Sequence, residues 1–213
     1  MAEVKILYED KDIIVVVKPA GMASQEERLA DMDMVSWLKN YLVREKKVKG
    51  MPYIGVIHRL DKPVGGVMVY AKTQQAAGKL SEQVRGNKMT KEYLAVLTGT
   101  LPKKEGRLED MLLSNGKTNR TEVVDAKTSG AKKAVLEYKV KRTKFDEGQQ
   151  YSLVNVHLIT GRRHQIRVQM AHAGAGLWGD TRYNPVLWSA FFSTSRKFSN
   201  PIKRATNSVA GLR

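Results

Sequence analysis

No cysteine occurs anywhere in the 213 residues, so disulfides and thiolate metal ligands are excluded. Histidine is scarce: the four present stand at positions 58, 157, 164 and 172, without the tight ligand spacing of a zinc site, and no metal is expected. No apolar run approaches the length that spans a bilayer, and no leader-like pattern opens the chain. A basic amphipathic helix with an aromatic face is also missing, which argues against a membrane partner. Neither Gly-x-Gly-x-x-Gly nor a P-loop appears, so a nucleotide cofactor has no support. No internal repeat and no clean domain boundary stand out. The expectation is a cytoplasmic globular protein that works without a cofactor.

Acid is also in short supply. Lys and Arg number 37 against 21 Asp and Glu, a net charge of +16 and a pI near 10. The balance is uneven. Residues 1–34 carry 4 basic and 8 acidic residues, and the remainder carries 33 against 13, a net +20. The stretch 181–213 has six Lys or Arg and no acid. Solubility needs a net charge of only about 2–8 in a small domain. An excess of this size points to a polyanion, and nucleic acid is the partner expected.

A hydrophobic content of 42% is enough for a sizeable core. Val4 to Tyr8 and Ile13 to Val17 read as strands joined by a polar turn, the second β-branched throughout and expected to be buried on both faces. Residues 22–34 lack a period and read as a mobile loop. Val35, Leu38 and Leu42 predict a helix to about Arg44, and Thr73 caps another that runs to about Val84. Residues 89–99 read as a strand. The stretch 101–133 reads as loop-rich, with short strands near 107–113 and 120–125. Alternation predicts strands over 134–141 and 151–159. A helix is expected from Arg163 to Ala173, and a short one around 185–192. Strands outnumber helices without βαβ alternation, so the fold class expected is α+β with a mixed, largely antiparallel sheet flanked by helices and loops.

Three places carry the residue types that do chemistry. The first is His58-Arg59-Leu60-Asp61, a cluster of charge between two apolar runs, followed by Pro63 and the Gly65-Gly66 pair. A carboxylate and a guanidinium on a loop held by two strands suit a catalytic site. A surface turn whose Arg59 and Asp61 pair with each other or with water fits the same residues. The second place is Lys91-Glu92-Tyr93 at a strand start. The third is Thr160-Gly161-Arg162-Arg163-His164-Gln165-Ile166-Arg167. Cations at a helix N-terminus oppose its dipole, so three arginines there imply an anion or carboxylate.

In this combination the chain resembles the RluA family of RNA pseudouridine synthases. His58-Arg59-Leu60-Asp61 matches one family signature, and Thr160 to Arg167 matches another. Lys91-Glu92-Tyr93 and Gly179-Asp180-Thr181-Arg182-Tyr183 match two shorter elements. Ile6 to Asp10 and Val15 to Gly21 are similar to the family's opening. The resemblance runs from about residue 4 to 192, with departures at Val64-Gly65-Gly66, where the family often has Thr-Ser-Gly, and at Gln169, where it usually has His.

The resemblance implies a pseudouridine synthase fold and a cofactor-free isomerisation of uridine in structured RNA, ribosomal or transfer. It implies Asp61 as nucleophile or as the group promoting base loss. Tyr93 would stack on the extracted uracil, and Arg167 would pair with Asp61. His58, Arg59, Lys91, Arg162, Arg163 and His164 would contact the RNA. A catalytic domain over 1–192 and a basic tail over 193–213 are expected, acting as a monomer. No S4-type RNA-binding domain is expected ahead of Val4. The rival reading is a non-catalytic RNA-binding protein on the same scaffold; the intact trio Asp61, Tyr93 and Arg167 favours the enzyme. A metal-dependent nuclease lacks its acidic cluster.

Overall fold

The computed structural model describes residues 3–26 and 31–184. The helix expected around 185–192 and the basic tail 193–213 lie outside the described residues. The described chain divides into two compact units between Met89 and Thr90, inside the run Lys88-Met89-Thr90-Lys91, where composition gives no hint of a boundary.

In the first unit, β1 (Lys5–Glu9), β2 (Ile13–Lys18), β4 (Gly66–Ala71) and β3 (Gly55–Val56) form one sheet in the order β1-β2-β4-β3. Helices α1 (Met34–Arg44) and α2 (Gln74–Arg85) accompany it. The β-branched run of β2 is not buried on both faces. Ile14, Val16 and Lys18 point into the core while Ile13, Val15 and Val17 are half-covered, the alternation of a sheet packed mainly on one side. Ile14, Val16, Met68 and Tyr70 form that inner face, and Met34, Leu38 and Leu42 of α1 belong to the same core. Met34 takes the buried place expected of Val35. The helix begins one residue early because Asp33 caps it, accepting from Val35 N at 2.7 Å and Ser36 N at 3.2 Å. Of the stretch 22–34, residues 27–30 lie outside the described residues, and the rest holds more structure than its composition suggests: Ala23, Ser24 and Asp33 are all buried. Helix α2 begins, as expected, behind Thr73, which accepts from Ala76 N.

In the second unit, β5 (Glu92–Thr98), β6 (Glu105–Asn115), β7 (Arg120–Val123), β8 (Lys132–Asp146) and β9 (Gln149–Leu158) form a sheet in the order β5-β9-β8-β6-β7. Helix α3 (Gln165–His172) contributes Met170 to a core with Ala95, Leu97, Leu136, Val154 and Val156. In the stretch expected to be loop-rich, the short strand expected near 107–113 is the 11-residue β6, and the one near 120–125 is β7. The charges of β6 hide its length: Arg107 pairs with Glu109 on the same strand at 2.7 Å, and across to β8 Arg107 meets Glu137 at 3.4 Å and Lys133 meets Glu109 at 2.8 Å, so the wet, ion-paired ends of the strand look like loop in sequence.

The α+β class holds. Every pairing within the two sheets is antiparallel. Among the described residues, the parallel component expected of a mixed sheet is an isolated bridge between Ala23 and Asp33. No described helix is long and apolar enough to cross a membrane.

Asp33→Ala removes the α1 cap and a further bond from Ser36 Oγ at 2.7 Å. It should lower the unfolding free energy by about 1–2 kcal/mol, read as a shift of the urea midpoint at unchanged slope.

Candidate active site

The loop from Ile57 to Gly65 begins and ends in strands, but what shapes it lies behind it. Lys18 continues the inward alternation of β2 and is fully buried. Its ammonium donates to the carbonyls of Pro19 at 3.1 Å, Met22 at 2.6 Å and Lys62 at 3.3 Å. The Lys62 carbonyl also accepts from Gly21 N at 2.8 Å. The Ser24 hydroxyl grips Leu60 twice, donating to its carbonyl at 2.7 Å and accepting from its N–H at 3.0 Å. Tyr70 OH donates to the Ser24 carbonyl at 2.9 Å; burial, and then the charge of Asp33, push that phenol far above its usual value. His58 Nε2 accepts from Val69 N at 3.2 Å, which places the proton of a neutral ring on Nδ1.

Alternate residues of the signature are thus anchored: His58 to β4, Leu60 to Ser24, Lys62 to Lys18 and Gly21. Arg59, exposed, and Asp61, half-buried, stand between the anchors. Asp61 O accepts from Val64 N at 2.9 Å, closing a turn. Gly65 comes close to the Lys18 carbonyl and the Ala20 amide, 3.4 Å from where a β-carbon would stand. The loop-holding hydroxyl absent from Val64-Gly65-Gly66 is supplied by Ser24, from 36 residues away and with no local pattern to mark it.

In the second unit Tyr93 lies on β5 opposite Val156 and packs, half-buried, against the core. Lys91 accepts from Leu158 N at 2.9 Å through its carbonyl, and its ammonium lies beside Gly161. Helix α3 does not begin at Arg163. His164 adopts a left-handed conformation, φ 53°, so Arg162, Arg163 and His164 form the turn ahead of the helix, and Arg167 alone of the three arginines lies within it. The reason is Gln165. Its Oε1 accepts from Arg162 N at 2.8 Å and Thr160 Oγ1 at 2.9 Å, and its Nε2 donates to Val135 O at 3.0 Å and Gln169 Oε1 at 2.9 Å. A buried amide with all four bonds made leaves no room for a regular helical start there.

The three signature arginines have different partners. Arg162 Nε donates to Lys133 O at 2.9 Å, and Arg163 donates to Asn119 Oδ1. Arg167 clasps Asp180 with two prongs, Nε to Oδ2 at 2.7 Å and Nη2 to Oδ1 at 2.8 Å, and its guanidinium lies over the Tyr183 ring at 4.9 Å. Tyr183 OH in turn bonds His164 Nδ1 at 2.8 Å and accepts from Thr121 N at 3.0 Å. Burial alone would raise the Asp180 carboxyl. The Arg167 fork outweighs it, helped by the N–H groups of Arg182 and Tyr183, and the group is held below its ordinary value. Asp180 and Tyr183 had only a motif match to mark them; their spacing of three, around a carboxylate that accepts backbone N–H groups, is the signal that could have found them. Among the described residues, no three of His, Asp and Glu converge as a metal site.

Because the folded Asp180 carboxyl titrates below its unfolded value, its contribution to stability is complete above the unfolded pKa, about 3.9. It is lost as pH falls through the folded pKa. Asp180→Asn should lower stability at neutral pH, at most by the roughly 3–5 kcal/mol of a broken buried pair, and should flatten the loss below about pH 4. Urea unfolding of both proteins from pH 7 to 3 checks this; parallel pH profiles would remove Asp180 from the account.

A family model described as RNA pseudouridylate synthase matches residues 12–172. Ribosomal large subunit pseudouridine synthase D of Xanthomonas campestris is 35% identical over 183 residues, 85% of this chain and 52% of that protein. The protein of the same name from Pseudomonas aeruginosa is 33% identical over 203 residues, 92% of this chain and 60% of that one. The chain thus spans between half and three fifths of these relatives. The solved human RNA pseudouridylate synthase domain containing 4 superimposes with a TM-score of 0.70 at 24% identity, covering 84% of this chain and 68% of its own, and shows the shared fold. With a family model matched over most of its length and both signatures in place on their loops, this chain belongs to the RNA pseudouridylate synthase family.

Proposed function

We propose that this protein is an RNA pseudouridine synthase that isomerises uridine in structured RNA. The names of its relatives support large-subunit ribosomal RNA as the substrate class, with transfer RNA the other candidate. The observation that carries the reading is the anchored signature loop, in which Asp61 stands between residues fixed at every second position.

In the reaction the N1–C1′ bond breaks, the uracil turns, and a C5–C1′ bond forms while C5 gives up its proton and N1 gains one. Nothing is oxidised or hydrolysed, so no cofactor is required. Asp61 drives the exchange, as nucleophile at the sugar or base or as the group that promotes departure of the uracil. The target uridine leaves its stack to reach such a carboxylate. Tyr93 offers a ring on which the extracted base stacks, and its hydroxyl relays a proton. Arg167, its plane set by Asp180 and Tyr183, supplies a charge of fixed direction. His58, Arg59, Lys91, Arg162, Arg163 and His164 hold the RNA. The catalytic domain spans 1–192; the protein works in the cytoplasm as a monomer.

Two variants test the chemistry. Asp61→Asn keeps the shape and removes the charge, and should cut single-turnover formation of pseudouridine by about a hundredfold or more with RNA affinity retained. Near-normal turnover would end the assignment of Asp61. Tyr93→Phe should slow turnover and keep affinity, whereas Tyr93→Ala should also lose about 1–3 kcal/mol of binding; equal affinities for the two variants would exclude stacking. Carbodiimide-dependent primer extension on total RNA, with and without the gene, then identifies the modified uridine.

A further inference from the structure

The second sheet does not end where its core ends. β8 pairs with β6 only as far as Lys139, and β9 pairs with β5 only from Tyr151. Beyond Lys139, β8 pairs only with β9, as a hairpin ribbon of Arg142–Asp146 with Gln149–Leu153. Tyr151, Ser152 and Leu153 of the ribbon still pair with β5, and from Phe145 to Gln150 it pairs only with itself. A register shift between Val140 and Arg142 marks its root, and two residues with positive φ, Glu147 at 48° and Gly148 at 77°, close its tip as a tight hairpin turn. From Val140 to the tip the ribbon reaches about 20 Å. Residues 141–148 are all exposed.

The two-stranded tip of this ribbon gains little stability from burial. Its sequence is unlike that of a solubilising loop. Phe145 stands near the tip with 71% of its surface exposed. Lys141, Arg142 and Lys144 precede it, and Lys103 and Lys104 lie alongside the root, where Val140 N donates to the Lys104 carbonyl at 2.7 Å. Asp146 and Glu147 are the opposing charges of the tip, and Asp146 is engaged by Lys144 at 3.0 Å. The register separates the two chemistries. Phe145 shares one face with Thr143 and Gln150, whereas Lys144 lies opposite Tyr151 on the other. One face offers an aromatic surface and the other cations.

We propose that this ribbon is a second RNA-docking element, binding unpaired nucleotides of the substrate, with Phe145 stacking on a base and Arg142 and Lys144 on the phosphates that flank it. The inference rests on the RNA reading above and adds the class of RNA segment. Charge complementarity selects a polyanion. A ribbon enters the major groove of B-DNA, but the major groove of an RNA duplex is too deep and narrow to be read by side chains. An exposed ring finds a partner only where bases are already unstacked.

The test compares the full chain with Phe145→Ala, Phe145→Leu and the triple variant Lys141→Gln, Arg142→Gln, Lys144→Gln. None of these side chains lies in the core. Probes are a fluorescein-labelled RNA stem-loop with a uridine-rich loop and single-stranded tail, and a blunt RNA duplex. On the stem-loop, Phe145→Ala and Phe145→Leu should both bind at least about fivefold more weakly, since neither keeps the stacking face. The triple variant should flatten the plot of log affinity against log salt by about 1–2, near 0.7 for each single-strand phosphate that is no longer neutralised. On the duplex the Phe145 variants should match the parent. Parent-like stem-loop affinity in all variants, beside a parent that binds and modifies RNA, overturns the ribbon and leaves the enzyme standing. A parent that neither binds RNA nor forms pseudouridine overturns the proposed function and the ribbon together. A Leu variant as tight as Phe145 removes stacking. Phe145-dependent binding to phosphatidylglycerol vesicles, with RNA affinity unchanged, assigns the ribbon to a membrane surface instead and overturns the proposal.

Discussion

A lysine closed off from water at the end of β2 sets the terms for the first unit. Burying an ammonium is costly unless its donors are met. Those of Lys18 reach carbonyls from two separate places, the turn after β2 and Lys62 in the signature loop. The two segments must therefore come together whenever the sheet forms, and the N–H of Gly21 adds a second tie to the same Lys62 carbonyl. Replacing Lys18 with an apolar residue of similar length would remove the buried charge but leave these carbonyls short of donors, which costs as well. The position of Asp61 is in this sense a consequence of where one strand ends.

The second unit reaches the same end with neutral amides. Gln165 links Thr160, Val135 and Gln169, and Gln169 passes the chain on to Asp110 at 2.7 Å, which also bonds His172 at 2.9 Å. These bonds fix the rotation of α3 about its axis, and with it the direction in which Arg167 leaves the helix. Asp180 and Tyr183 then fix the plane of the guanidinium. No buried side-chain nitrogen or oxygen among the described residues lacks a partner. A network satisfied throughout holds one geometry, whereas a partly satisfied one would admit several.

What can be read from the chain is what repeats or what punctuates. The β-branched run of β2, the apolar runs of β5 and β9, the apolar spacing of α1 and the Thr73 cap of α2 leave local traces, and those elements lie within a few residues of their expected ends. β6 is longer than the strand expected near 107–113 because its outer face is stabilised by ion pairs to β8 rather than by burial, and such pairs are invisible until the partner strand is known. The start of α3 is displaced for a related reason, since the amide that displaces it draws on Val135, 30 residues away. At the site, the residues with reactive groups are legible and those that hold them are not. Ser24 and Lys18 resemble any other serine and lysine until the fold brings Leu60 and Lys62 to them.

The same distinction divides the basic residues by what they can do for an RNA. Arg162 and Arg163 each have part of the guanidinium tied to the protein, through Lys133 O and Asn119. A guanidinium has five N–H donors, so an anchored one keeps others for a phosphate while much of its rotamer entropy is already lost. Lys103, Lys104, Lys117, Lys127 and Lys132 are exposed, on long flexible stems. Their charge acts at a distance and raises the rate of encounter, but each must be ordered anew when it meets a phosphate. Under the proposed function the lysines would account for most of the attraction that salt screens, and the anchored arginines for the register in which an RNA came to rest. Specificity would then depend on the second group, because a donor that is already directed penalises a misplaced phosphate and a mobile one follows it.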